Sequence, residues 1–382
     1  LFEHNLVQNY NISVNGGSDH VLYMLTTGYL NNPGTMPHTG IEKYQLRANV
    51  EVKAGKHITV GTQTFASSQY DGMGDASSAF DQLHATTPGI VPYYDGKYGF
   101  AQAPGESATA NNIINYLNTT GGKDKISRFN TTLYANITFF KGFTLSSRFN
   151  YQTEFEEENS HAIPFEKWDF ATNTLEVPAT TPDQLSTNYS FDKNYSYTID
   201  HILHYNTVVD NNHEINAMLG YEEYYYNTYK FSASKEGLID PSITTLGSAT
   251  LMKDIGGSET DHAIRSLFGR INYSYKQKYL LEGNLRYDGS SRFAAESRWG
   301  IFPSVSAGWR ISEEDFFKNL KMNIQNLKIR ASWGNGFKSR GVVEEEQANY
   351  GAVGYSFGNT AETGLTQNKL ANPELRWEST SV

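Results

Sequence analysis

Cysteine does not occur anywhere in the 382 residues. Disulfide scaffolds, thiolate nucleophiles and cysteine-ligated zinc or iron–sulfur sites are thereby excluded. Long apolar runs are missing as well: no stretch approaches the ~18 to 20 consecutive apolar residues that a membrane-spanning helix requires. A helical membrane protein is excluded, but a β-barrel is not, because spanning strands alternate and keep average hydropathy low. Basic blocks are absent too, and 41 Asp and Glu against 31 Lys and Arg leave a net charge of −10, which argues against a nucleic-acid partner. No H-E-x-x-H, EF-hand or P-loop pattern occurs, so neither a metal site nor a nucleotide cofactor is expected. At Leu1 there is no Met and no charged or apolar leader, and strand-like sequence continues to Val382. Both ends are therefore expected to be cut from something longer.

Aromatic residues are what the chain has in excess. Apolar residues make up only 38%, yet aromatics reach 14%, with 26 Tyr, 21 Phe and 5 Trp. Amphipathic rings of this kind are most useful at a membrane–water interface. The recurring unit is a stretch of about ten residues in period two, the pattern of a strand with two unlike faces. In segment 44–52, Tyr44, Leu46, Ala48, Val50 and Val52 share one face, while Gln45, Arg47, Asn49 and Glu51 share the other. Segments 129–139 and 279–287 repeat the pattern.

About 13 such strands are expected, near 6–15, 20–30, 43–54, 57–68, 127–140, 143–153, 195–208, 213–224, 263–275, 279–288, 299–311, 325–335 and 374 to the end. Their connections alternate: short at Gly16-Gly17-Ser18, Ala54-Gly55-Lys56, Lys141-Gly142, Asp210-Asn211-Asn212 and Lys276-Gln277-Lys278, and long at 31–42, 69–126, 154–194 and 225–262. Short periplasmic turns and long extracellular loops are the signature of an outer-membrane barrel. Aromatics gather near the strand ends, as at Phe139, Phe140 and Phe143, at Tyr273, Tyr275 and Tyr279, and at Trp299 and Trp309, where two interfacial girdles would lie. After Ile311, Ser312 is followed three residues later by Asp315, a capping box that opens a short periplasmic helix.

The stretches YSYKQKYLLEGNLRYDGSSRF (273–293), RWGIFPSVSAGWRISEEDFF (298–317) and LKIRASWGNG (327–336) resemble the barrel signature of SusC/RagA-family TonB-dependent transporters from Bacteroidetes. NPELRWEST (372–380), YNISVNGGSDHVLYMLTTGYLNN (10–32) and YQLRANVEVKAGKHITVG (44–61) are similar to other parts of that barrel, in the same order. The resemblance implies an all-β, antiparallel transmembrane barrel of about 22 strands, of which this chain would supply part of one domain. It also implies a plug, a TonB box and a small N-terminal accessory domain, none of which is recognisable here. The implied activity is outer-membrane import of nutrients, oligosaccharides or in some members peptides. A SusD-like lipoprotein would lid the mouth, the TonB complex would act through the plug, and outer-membrane lipids would surround the wall. A passive porin or adhesin barrel shares every physical feature above, and a soluble carbohydrate-binding or hydrolytic β-protein is the further alternative.

Candidate chemistry is sparse, and no catalytic residue is assigned. Glu154, Glu156, Glu157 and Glu158 are the densest acidic cluster, but they read as a solvated charge run where a strand enters a loop rather than a glycosidase pair held ~5 to 9.5 Å apart. Asp288-Gly289-Ser290-Ser291-Arg292 reads as a hairpin tip, with no G-x-S-x-G frame around it. His201 and His204 are an odd number of residues apart on a strand and so face opposite ways. The N-x-S/T triplets at Asn11, Asn130 and Asn136 lie within strands. Lumen-facing Arg47, Arg148, Arg286 and Arg310 are expected to bond a plug or neighbouring acids. Aromatics in long loops are the ligand-binding candidates: Tyr93, Tyr94 and Tyr98, Trp168, and Tyr224, Tyr225 and Tyr226. Their rings can stack on sugar faces while nearby polar groups bind hydroxyls.

Overall fold

The computed structural model describes residues 2–85, 91–100, 112–320, 323–338, 349–358, 360–370, 372 and 374–381. Thirteen strands form one sheet in strict sequence order, every neighbouring pair antiparallel. They are β1 (Gln8–Gly17), β2 (Val21–Asn32), β3 (Ile41–Ala54), β4 (Ile58–Asp71), β5 (Thr120–Phe140), β6 (Phe143–Ala162) and β7 (Ser186–Val209). There follow β8 (His213–Leu238), β9 (Ala249–Tyr275), β10 (Tyr279–Ser290), β11 (Trp299–Arg310), β12 (Lys328–Lys338) and β13 (Glu378–Ser381). Among the described residues β1 pairs only with β2 and β13 only with β12, so the sheet has two open edges. Val382, the end of the last expected strand, lies outside the described residues.

Register carries each face unbroken across the wall. Tyr29 lies opposite Tyr44, Val60 opposite Ala135, Leu133 opposite Phe149, Leu219 opposite Gly269 and Tyr279 opposite Trp309, all on the outward face. That face exposes Leu25, Leu46, Leu133, Ile271, Leu281 and Ile329, among other large apolar side chains. In water such a surface would be a severe liability; facing lipid it is the required one.

Rings close both ends of this band. At the end with the tight turns, Phe139 stacks near Phe143 (6.1 Å between centroids), Phe143 near Tyr205 (4.4 Å), His213 near Tyr275 (4.8 Å) and Tyr275 near Tyr279 (6.2 Å). At the other end Tyr29 meets Tyr10 (6.4 Å) and Tyr44 (5.0 Å), and Tyr287 stacks on Trp299 (4.7 Å). The tight turns themselves use left-handed residues in pairs, Asp210 and Asn211 (φ 52 and 53) and Lys276 and Gln277 (φ 52 and 54). Such primed turns match the right-handed twist of the strands they join.

Among the described residues the interior-facing side has no continuous apolar core. It is a lattice of polar contacts, such as Tyr134 Oη donating to Glu51 (2.8 Å) and Arg148 paired with Asp200 (2.9 Å). Gly61 lies beneath the Tyr134 ring, where a Cβ would come within 2.4 Å of it. Buried apolar residues occur instead in three small clusters, around Leu117, Leu185 and Phe293. One of them fastens Trp377, just before β13, onto Phe302 and Phe293.

Strand length corrects the sequence reading. Segments 154–194 and 225–262, expected as long solvated loops, are mostly strand: β7, β8 and β9 have 24, 26 and 27 residues. A tilted spanning strand needs only ~9 to 11. The Glu154–Glu158 run therefore lies inside β6, alternating between the two faces. Asp288 and Ser290 likewise belong to β10 and are buried, rather than forming a turn tip.

Candidate functional site

The extra length of β5 to β9 builds a wall that rises beyond the outer aromatic belt. On its outward face charges replace aliphatics, with Lys125 paired to Glu157 (3.3 Å) and Arg265 to Glu223 (3.1 Å). Its lumenal face carries Asp71, Asp124 and Glu158 in one register row and Glu156, Asp192 and Lys230 in another. Lys230 neutralises Asp192. Burial, and then the negative charges of Glu156, Asp71 and Glu158, push the Asp124 carboxyl up to about 6. Burial and neighbouring acids raise Glu156 as well. This vestibule is electronegative and repels anions.

Below it, a lumenal recess of about 470 Å³ is lined by Phe65, Arg128, Gln152, Glu154, Asn194 and Tyr226. Arg128 and Glu154 form an ion pair, and Tyr226 Oη donates to Asn194 Oδ1 (3.3 Å). Tyr224 and Tyr226 flank the His262 ring at 5.8 and 5.2 Å, and Arg292 donates to His262 Nδ1 (3.3 Å). The Tyr224–Tyr226 triplet was expected in a loop; it lies in the middle of β8. Alternation then splits it: Tyr224 and Tyr226 share the lumenal face, whereas Tyr225 points the other way and stacks on Tyr197 (5.4 Å) beside Tyr195 (5.9 Å).

The remaining candidates meet in the connections at the long-loop end of the wall. Segments Tyr93–Tyr94, Lys97–Gly99, Lys167–Asp169 and Thr174–Val177 pair into a small four-stranded sheet that joins two long connections. Tyr93, Tyr98 and Phe165 gather on one side (5.2 and 6.5 Å between successive rings), with the Lys167 ammonium over Phe165 at 5.4 Å. Tyr94 meets Phe170 (5.9 Å) on the other side, where Lys97 Nζ sits 3.5 Å from the Trp168 ring centre and Trp168 Nε1 donates to Glu166 (2.7 Å). Tyr94 stays 66% exposed, so its ring is available as a platform. Buried Asn112 fixes this unit, donating to the carbonyls of Pro92 (2.6 Å) and Gly99 (2.9 Å) and accepting from Ile114 N (3.0 Å).

Sequence reasoning missed Lys97, Phe170, Asn112, His262 and Arg292. One signal was present: Asp95-Gly96 between Tyr93-Tyr94 and Lys97-Tyr98 is a two-residue hairpin turn, and both residues have positive φ (46 and 78). At the tight-turn end a second recess, about 1070 Å³, is lined by Glu214, Glu282, Arg310, Lys328 and Arg330. The arginines read as lumen-facing pair as expected with acids, Arg148 with Asp200, Arg286 with Asp288 (3.1 Å) and Arg310 with Glu313 (3.1 Å), while Arg47 lies over Phe65 (5.6 Å). His201 bonds Ser147 (2.7 Å) on the outward face, away from His204. Among the described residues no three His, Asp or Glu side chains converge as metal ligands would.

A tall strand wall with a greasy outside, a polar inside and short turns at one end limits the choice of relatives. Residues 43–381 match the family described as TonB dependent receptor-like, beta-barrel. The chain belongs to that family. As a member it is an outer-membrane protein. TonB-dependent receptor P26 of Formosa agariphila is 27% identical over 388 residues, covering 98% of this chain and 37% of the relative. TonB-dependent receptor SusC of Bacteroides thetaiotaomicron is 31% identical over 206 residues, covering 51% of this chain and 19% of the relative. The chain thus spans about a third of the length of P26. Among solved structures, the RagAB peptide transporter superposes with a TM-score of 0.82 at 20% identity, over 100% of this chain and 42% of that one. The ferric citrate transporter FecA gives 0.53 at 9% identity, over 87% and 41%. These likenesses show the fold; the relatives are named as receptors and transporters.

Proposed function

We propose that this chain is the greater part of the wall of a TonB-dependent importer that takes up oligosaccharides, with peptides as the alternative cargo. In this reading the open edges at β1 and β13 are completed by further strands, because a membrane tolerates no unpaired strand edge. A plug fills the lumen against the polar recess around Arg310 and Arg330. TonB energises transport through that plug, and a SusD-like lipoprotein covers the extracellular mouth.

The observation that carries the cargo assignment is the small loop sheet. It gathers Tyr93, Tyr94, Tyr98 and Trp168 from two connections at the long-loop end of the wall, and Tyr226 lines the lumenal recess. Aromatic platforms next to amide and carboxylate groups suit the apolar faces and hydroxyls of pyranose rings. A neutral glycan also enters an electronegative vestibule without charge repulsion. The named peptide specificity of the RagAB structure supports the alternative cargo.

The test is uptake by the intact transporter in its native background. Import of the cognate glycan stops when TonB is removed, and weakens when Tyr94 and Trp168 are changed to Ala while the barrel still assembles. Uptake that continues at the same rate without TonB would identify a passive porin instead. Unchanged uptake by the Tyr94→Ala, Trp168→Ala and Tyr226→Ala variants would remove the assigned cargo site.

A further inference from the structure

The connection between β11 and β12 does not behave like the other periplasmic turns. It forms a 3₁₀ turn, Ile311–Glu313, and then a short helix, Asp315–Asn319. The expected Ser312 cap does not form. Glu314 occupies the N-cap position without capping the helix, and the Ser312 hydroxyl is buried with no partner.

The Glu314 carboxylate is used elsewhere. It accepts from Tyr279 Oη (2.6 Å), Trp309 Nε1 (3.0 Å) and Lys278 Nζ (3.0 Å). Tyr279 and Trp309 lie opposite one another on the outward face of the wall, at its tight-turn end. Tyr279 and Trp309 thus draw Glu314 onto the outside of the periplasmic aromatic belt, while Glu313 beside it holds lumen-facing Arg310 at the rim. The three donors also hold the Glu314 carboxyl down to about 2, so the clamp stays ionised.

Docking exposes a patch that a water-facing segment would not choose. Phe317 turns inward and is buried, whereas Phe316, Leu320 and Ile324 are 56%, 60% and 44% exposed. Phe316 approaches Trp309 (6.4 Å), which lies opposite exposed Ile329, so the patch continues the lipid-facing band without a break. The segment's described residues offer no unpaired cation: Lys318 pairs with Glu313, which also holds Arg310, Lys278 pairs with Glu314, and Asp315 adds a further negative charge.

We infer that residues 311–320 form a ledge lying in the headgroup–acyl boundary of the periplasmic leaflet, with Phe316 and Leu320 inserted among the phospholipids and Glu314 holding the ledge at that depth. The occupant is phospholipid itself, through its apolar region. The internal pairing of charge means that anionic headgroups add nothing. Interfacial elements of this kind bind through buried apolar area and rim charge, and here only the first is available.

The inference depends on the outer-membrane setting and not on the cargo. It is tested in the intact barrel, with any cysteine outside these 382 residues replaced, carrying single Phe316→Cys, Lys318→Cys or Leu320→Cys substitutions with nitroxide labels. Vesicles of phosphatidylcholine are compared with vesicles containing phosphatidylglycerol. Labels at 316 and 320 are expected to be several-fold more accessible to oxygen than to a nickel chelate, with the reverse at 318, equally in both vesicle types. In Glu314→Gln, or in the milder Tyr279→Phe, the labels at 316 and 320 move toward the chelate. Equal chelate access at 316 and 318 would place the ledge in water. Protection from both reagents would mean a protein covers it, and burial only with phosphatidylglycerol would make headgroup charge the anchor. Any of these three overturns the inference. If Glu314→Gln does not assemble, the labels in the otherwise unaltered barrel still decide.

Discussion

The lower and upper parts of the same strands obey different rules. Below the outer belt, β9 presents Leu267, Ile271 and Tyr273 in alternation to lipid and Arg270 and Asn272 to the lumen. Higher up, where Ser258, Glu259, Thr260 and Asp261 pair with β8, both faces of the same strand are polar. The backbone ladder continues across the boundary unchanged, so what differs is the solvent on the outer side. Hydropathy patterning reports that solvent, whereas the ladder reports the fold.

The largest expected effect separates the two zones directly. Changing outward Ile271 to Arg places a charge near the middle of the apolar band and costs about 2 to 4 kcal/mol. The equally outward Ile255→Arg, in the upper zone, costs less than about 0.5 kcal/mol. Unfolding titrations in vesicles measure both, and similar costs would erase the distinction between zones.

A second effect belongs to the upper zone alone. On the proposed cargo reading, removing one exposed stacking ring, as in Tyr94→Ala, weakens cargo binding by about 1 kcal/mol, roughly fivefold. Calorimetry with the cognate glycan reads this, and Tyr225→Ala, whose ring faces away from the lumen, serves as the control with unchanged affinity.

A third concerns pH. The carboxyl of Asp124 lies at about 6 in the folded wall against 3.8 ordinarily. Between these values the folded state holds a proton that the unfolded state has released, so folding is favoured at low pH and this advantage is lost as pH rises through about 6. Hydrogen exchange in the upper parts of β5 and β6 is therefore expected to quicken from pH 5 to pH 7, after correction for intrinsic rates. Asp124→Asn removes that dependence.

The smallest effect is at the exposed Lys125–Glu157 pair, where Lys125→Ala changes stability by less than about 1 kcal/mol and less still in high salt. A larger loss in the salt-resolved melting curve would show the pair to be part of a buried network.

The same contrast explains what could be read from the sequence. The positions of β1 to β4, β10 and β11 follow from alternation and from tight turns such as Lys276-Gln277 before β10, because lipid on one side and water on the other force period two. The upper halves of β6 to β9 carry no such signal: at Glu156, Glu157 and Glu158 or Ser232, Ala233 and Ser234 both sides are wet, so strand looks like loop. The tyrosine triplet was misplaced for this reason, and Tyr225 with it. Grouping of Tyr93, Tyr94 and Tyr98 with Trp168 depends on long-range pairing of Lys97–Gly99 with Lys167–Asp169, which no local pattern encodes. The short helix after Ile311 was legible, but its cap was not, because Glu314 finds stronger donors on Tyr279, Trp309 and Lys278 than the helix offers.

The account stands most directly on where the upper zone lies. Single cysteines at Tyr229, Ile271 and Gln277 in the intact transporter, probed with a membrane-impermeant maleimide on living cells, measure this. The expected result is labelling at Tyr229→Cys on intact cells, at Gln277→Cys only after the outer membrane is opened, and none at Ile271→Cys while lipid is present. Labelling of Gln277→Cys on intact cells, or protection of Tyr229→Cys, would contradict it.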